Sequence, residues 1–174
     1  MIDTILVQAM KQADEAAFAS CYEQLSPYIY SIVFRICGSE AIAEEIMQES
    51  FIHGFNQLAQ LKNDEAFTPW LKRIAFNKTM AYLRKSAKEV ALDEHTHNTL
   101  VDECFSKQLM AENQLAYLLG HISPQERLVV WMYVVEGYSH QQIADLFEKT
   151  LSYSKSIVSR SLAKLREVGE HDGV

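Results

Sequence analysis

Apolar residues recur along this chain at intervals of three and four, the period of helices that each bury one face. Phe18, Tyr22 and Leu25 form one stripe, and Ile29, Val33 and Ile36 another, until Gly38 and Ser39 interrupt the pattern where one helix can end and the next be capped. Ile42, Ile46, Phe51 and Phe55 continue on a third helix. On a helix from Phe67 onward, Phe67, Leu71, Ile74 and Ala75 share one face and are expected in the core with Trp70, whereas Lys72, Arg73, Phe76 and Asn77 fall on other faces. The period fades from Lys88 to about Ala111, in "KEVALDEHTHNTLVDECFSKQLMA", resumes at Leu115 and runs to about Arg166. With no convincing alternating strand pattern and no internal repeat, the expected fold class is all-α. Two small helical domains, residues 1–87 and 112–174, are joined by a flexible acidic linker, 88–111.

The second domain carries a recognisable grammar. In "GYSHQQIADLF", Ser139 can cap a short helix with Gln142 completing a capping box, and Ile143, Ala144 and Phe147 point inward. After a short break, "LSYSKSIVSRSLAKLR" restarts a helix with Val158, Leu162 and Leu165 as its apolar stripe and Lys155, Ser159 and Arg160 outside it. A capped helix, a tight connection and a second helix exposing small polar and basic groups predict a helix-turn-helix, the second helix being sized for a major groove.

Composition changes the picture in what it excludes. The 174 residues, 48% hydrophobic and 22% charged, suffice for one ordinary core or two small ones. No apolar run approaches a membrane span, and Asp3, Asp14 and Glu15 spoil any signal peptide, so the expected location is the cytoplasm, without membrane insertion. Cys21, Cys37 and Cys104 are odd in number and far apart, which supports neither a disulfide framework nor zinc. His95 and His97 beside Asp93 and Glu94 fit no compact metal site. No nucleophile with a base and no Gly-rich phosphate loop is present, so neither catalysis nor a cofactor is expected.

The formal net charge of -7 conceals two basic islands. Residues 62–88 carry seven basic against two acidic residues, and residues 149–166 carry five basic residues and no acid. Polyanion binding follows the field within about 8 to 10 Å, so an acidic total does not exclude nucleic acid.

The islands and their surroundings resemble a known family. "AEEIMQESFIHGFNQL" followed by "AFTPWLKRIAFNKTMAYLRK" is similar to region 2 of the extracytoplasmic-function (ECF) group of sigma-70-family initiation factors, the Phe67–Asn77 core being the most specific part. "SPQERLVVWMYVVEGYSHQQIADLF" followed by "KSIVSRSLAKLRE" resembles region 4. The resemblance implies a protein that binds core RNA polymerase, recognises promoter DNA through both domains, assists local melting and is held in check by an anti-sigma factor. It implies that Glu44, Glu45, Gln48 and Glu49 bind the core polymerase. It assigns Lys62, Asn63, Lys72, Arg73, Phe76, Asn77, Arg84 and Lys85 to the -10 element. Asn77 falls at the pocket for a flipped base, and Leu61–Ala66 in the specificity loop. Tyr153, Lys155, Ser156, Ser159, Arg160 and Lys164 are assigned to the -35 element, and the acidic linker to the path of nascent RNA.

Four residues depart from the pattern. Glu148 stands where the turn usually has glycine, Ser154 where the core wants an apolar side chain, Ile157 where the surface wants a base, and Ile42 where the acidic ridge has an acid. The first three leave the register of the second helix open. A different class also fits this grammar: a polymerase-independent helix-turn-helix regulator whose amino-terminal domain dimerises.

Overall fold

The computed structural model describes residues 2–92, of which 90–92 as backbone only, and residues 114–171. Among the described residues are eight α-helices and no strand: α1 Thr4–Lys11, α2 Glu15–Cys37, α3 Glu40–Asn56, α4 Phe67–Leu92, α5 Gln114–Gly120, α6 Pro124–Val134, α7 His140–Phe147 and α8 Leu151–His171. They form two compact units, Met1–Phe34 with Glu40–Thr79, and Arg35–Ser39 with Met80–Val174. Helix α4 continues through residue 87 and into the segment expected as linker; the rest of that segment, with His95, His97 and Cys104, lies outside the described residues.

In the first unit, Asp3 caps α1 by accepting the Ile5 N–H at 3.2 Å, and Asp14 accepts the Ala16 N–H at 2.9 Å at the start of α2. The long stripe of α2 is buried at Cys21, Leu25, Ile29, Ile32 and Val33. Between α2 and α3, at residues that count with the second unit, Gly38 at φ 74° lets the chain turn after Cys37, and Ser39 stands in the cap position of α3. Helix α3 buries Ala43, Ile46, Met47 and Phe51, and Phe51 meets Tyr22 and Phe55 edge-on with centroids 4.9 and 5.6 Å apart. Gly54 brings α3 against α4, since a Cβ built there would lie 2.9 Å from Leu71 Cδ1.

Helix α4 buries Phe67, Leu71, Ile74 and Ala75, as their spacing predicts, while Trp70 is only half-buried. Phe76 is a correction: it is 1% exposed and belongs to the core. The buried arc widens past Ala75 to take in Phe76, Thr79 and Met80, so this helix is covered on more than the one side its first turns define. Burying an aromatic ring of this size contributes about 1.5–3 kcal/mol.

The second unit is built around Ala116, Leu119, Ile122 and Val130, with Trp131, Leu162 and Leu165 packed against them. Two capping boxes punctuate it, Ser123 with Glu126 at α6 and Ser139 with Gln142 at α7. Arg127, 1% exposed, donates through Nε to Leu119 O at 2.7 Å and satisfies a carbonyl at the C-terminal end of α5, where a cation also suits the helix dipole. Burial pushes the Cys21 and Cys37 thiols up to about 12, so both are held protonated. No helix among the described residues is long and apolar enough to cross a membrane.

Candidate functional site

Two surfaces carry the predicted site residues. In the second unit, α8 packs against α5, α6 and α7. The connection between α7 and α8 is a Schellman turn: the Lys149 N–H reaches Ala144 O at 2.9 Å and the Glu148 N–H reaches Asp145 O at 3.2 Å. Glu148 adopts the left-handed conformation, φ 53° and ψ 42°, so the tight turn is made despite the missing glycine and carries the strain.

The register of α8 follows from its buried residues, Ser154, Ile157, Val158 and Ser161, at spacings of three, four and seven. Ser154 stands in the core because it has a polar partner there: its hydroxyl lies 3.1 Å from His140 Nδ1, and the His140 ring stacks on Tyr133 with centroids 4.3 Å apart. Ile157, expected at a surface position where a basic residue is usual, is 7% exposed and packs inward, which corrects that placement.

The opposite face of α8 exposes Lys155, Ser156, Ser159 and Arg160, and Lys164 is exposed two turns beyond the buried Ile157. Arg160 Nε also donates to Ser156 O at 3.3 Å, which lays the guanidinium along the helix surface. Tyr153 differs from this group. It is half-buried, accepts a hydrogen bond from Gln125 Nε2 at 2.7 Å and leans on Phe147, so it fixes the start of α8 rather than pointing outward alone. Burial raises its pKa, with the Gln125 hydrogen bond acting the other way.

In the first unit, Lys62, Asn63, Arg73 and Asn77 are exposed; Arg84 and Lys85, also exposed, lie on the part of α4 that belongs to the second unit, where Arg84 Nη2 donates to Phe147 O at 3.0 Å. Arg73, Asn77 and Arg84 recur at spacings of four and seven, which is one face of a helix. Lys72 and Phe76, also four apart, lie on another side. Lys72 is half-buried with its ammonium 5.5 Å from the Tyr28 ring centroid, and Phe76 is in the core, where no nucleobase can stack on it. Lys85 pairs with Glu89 at 3.9 Å. The Asn63 side-chain oxygen accepts the Glu65 N–H at 3.1 Å and shapes its own loop.

Glu44, Glu45, Gln48 and Glu49 are all exposed on α3, and Ile52, one turn beyond, is 60% exposed. Their mutual repulsion is partly relieved within the unit, since Lys78 Nζ pairs with Glu49 at 2.7 Å. Sequence reasoning missed that pair, and also Arg127 and the His140–Ser154 contact, each of which joins residues on different helices or at their ends.

A tight helix-turn-helix with a basic, hydroxyl-bearing outer face, in a chain that carries a second helical domain with its own basic residues, defines a DNA-reading transcription protein. Residues 21–89 match sigma-70 region 2, and residues 112–165 match sigma-70 region 4. The chain is 31% identical over 93 residues to the ECF RNA polymerase sigma factor SigW of Bacillus subtilis, a match covering 53% of this chain and 50% of SigW. It is 25% identical to the ECF RNA polymerase sigma-E factor of Haemophilus influenzae, with 92% of each chain covered. Among solved structures it is similar in fold to CnrH in complex with the cytosolic domain of CnrY, with a TM-score of 0.61, 19% identity and 98% of both chains covered. A second is the sigma factor RpoE in complex with the anti-sigma factor NepR from Bartonella quintana, with a TM-score of 0.59, 17% identity, and 88% of this chain and 96% of that one covered.

The chain belongs to the sigma-70 family, within its ECF group. It is an RNA polymerase sigma factor that directs promoter recognition and transcription initiation, and not an enzyme.

Proposed function

We propose that this sigma factor divides promoter recognition between its two domains, residues 1–87 meeting the -10 element and residues 112–174 the -35 element, with 88–111 as the linker. The observation that carries this reading is the exposed side of α8, where Lys155, Ser156, Ser159 and Arg160 stand away from the buried Ser154, Ile157, Val158 and Ser161, with Lys164 exposed further along the helix. Arg160 and Lys155 can pair with guanine edges, and the serines suit phosphate oxygens. On the first domain, Asn77 and Arg73 supply an amide and a guanidinium on one exposed face, with Lys62 and Asn63 on the loop before it. These groups can hold an unstacked base and its backbone during local melting. Phe76 supports α4 from within, and Lys72 is kept near Tyr28.

The acidic face of α3, Glu44, Glu45 and Gln48 with Glu49 shared with Lys78, is the proposed docking surface for core polymerase. An anti-sigma partner is proposed from the company its structural neighbours keep, and a cytoplasmic location from the polymerase itself.

Run-off transcription with purified core polymerase on a pool of genomic promoter fragments tests this. Discrete transcripts are expected only when the protein is added, and Asn77→Ala and Arg160→Ala should weaken them separately. If nothing starts, yet the protein alone retains specific duplex fragments at physiological salt, the reading fails in favour of a polymerase-independent regulator.

A further inference from the structure

We propose that Lys11, on α1, is a positioning residue for the loop that presents Lys62 and Asn63, and that it holds this loop in the shape that meets the -10 element. The inference rests on the reading of that loop as part of the -10 surface.

Between α3 and α4 the chain makes two single turns of 3-10 helix, Leu58–Gln60 and Asp64–Ala66, separated by extended backbone at Leu61 and Asn63. Such a segment has few regular hydrogen bonds to fix its shape, and its anchors can be named. Leu58 and Leu61 are its buried apolar residues, and Asn63 closes its second turn through the Glu65 N–H. The remaining anchor comes from far away in sequence. Lys11 Nζ donates to Leu61 O at 2.8 Å and also to the Asp64 carboxylate.

The position of these two acceptors matters, because Leu61 and Asp64 immediately flank the two exposed residues Lys62 and Asn63. A single ammonium therefore pins both ends of the segment that faces outward. An ammonium suits this task, having several donors on a compact head that can serve a carbonyl and a carboxylate at once. It also offsets the negative charge of Asp64, which otherwise stands next to the proposed path of DNA phosphates. Lys11 precedes residue 21, where the region 2 match begins, so this brace is supplied by a helix outside the matched segment.

The test uses holoenzyme assembled from the full chain and core polymerase, on a promoter selected by the unaltered protein and on single-base variants of its -10 element. Two quantities are read at saturating holoenzyme: the fraction of open complex, from permanganate reactivity of unpaired thymines, and the discrimination ratio between the selected promoter and its variants. Lys11→Met is expected to keep core affinity within about twofold and to lower the discrimination ratio by about tenfold, the scale of a lost charge-assisted hydrogen bond. Lys11→Arg, which keeps the charge, should restore part of that ratio, and a purely structural role would leave the ratio unchanged in folded protein. Asn63→Ala, which removes the side chain that closes the loop's second turn, serves as the loop control. If Asn63→Ala lowers discrimination and Lys11→Met does not, the positioning role is wrong and the loop reading survives. If neither alters it, the loop reading fails and this inference with it. Should Lys11→Met fail to fold, Asp64→Asn removes the other half of the ion pair at almost unchanged size and is expected to lower the ratio in the same direction; no change in that variant overturns the proposal.

Discussion

Glu148 shows how one residue can hold a motif in an unfavourable form. At φ 53° its side chain crowds the backbone, and a β-carbon there costs about 1 kcal/mol that glycine avoids. Glu148→Gly should raise unfolding stability by about 0.5–1 kcal/mol, measured by denaturant titration of the full chain. Glu148→Ala removes the same charge without freeing φ, so it should give no comparable gain. Equal gains from both variants would mean that charge, and not backbone strain, is what Glu148 costs. The departure from glycine was visible in the sequence, but its consequence was not. Whether the chain strains or takes a longer turn depends on whether α7 and α8 are held together elsewhere. The Schellman hydrogen bonds and the His140–Ser154 contact across the turn settle that in favour of strain.

For a helix, the question is which face turns inward, and period alone answers it only when a single face is covered. That was enough for the later part of α2, at Leu25, Ile29, Val33 and Ile36, and for Phe67, Leu71, Ile74 and Ala75 at the start of α4, but not for the first turns of α2, where Tyr22 is exposed and Cys21 is buried in its place. It was not enough for Phe76, because the buried arc of α4 broadens after Ala75, and nothing in a stripe of period 3.6 reports a second covered side. Nor was it enough for α8, where the serine at a core position, Ser154, has no explanation until its partner, His140, is placed beside it. Loop anchors were illegible for the same reason: Lys11 and Asp64 are fifty-three residues apart, and only the folded chain brings them together. The inward position of Ile157 makes the register of α8 testable. Ile157→Lys should cost about 2–4 kcal/mol in stability, from lost burial and an unpaired charge, and Ser156→Lys next to it should cost less than about 0.5 kcal/mol. Similar costs at both positions, in thermal or urea unfolding, would contradict the register seen here.

Across the whole molecule the decisive quantity is the placement of charge, since a protein of formal net charge -7 must meet a polyanion through local surfaces. Lys155 and Lys164 are nine residues apart on α8, about 13 Å along its axis, beyond the ~8–10 Å over which salt leaves charges coupled. Lys62 belongs to the other compact unit. Each should therefore act on DNA nearly independently, and their effects should add. For promoter binding by the holoenzyme, plotted as log K against log salt, Lys155→Ala and Lys62→Ala should each reduce the slope by about one, and the double variant by about two. Arg160→Ala is expected to behave differently. As a proposed base reader it should cost about 1–3 kcal/mol on the preferred promoter and less on a promoter altered at the base it reads. If the slope is unmoved by both lysine changes while Arg160→Ala still discriminates between promoters, α8 reads bases without the phosphate contacts that its basic face offers. The electrostatic half of the interface would then lie outside these two islands.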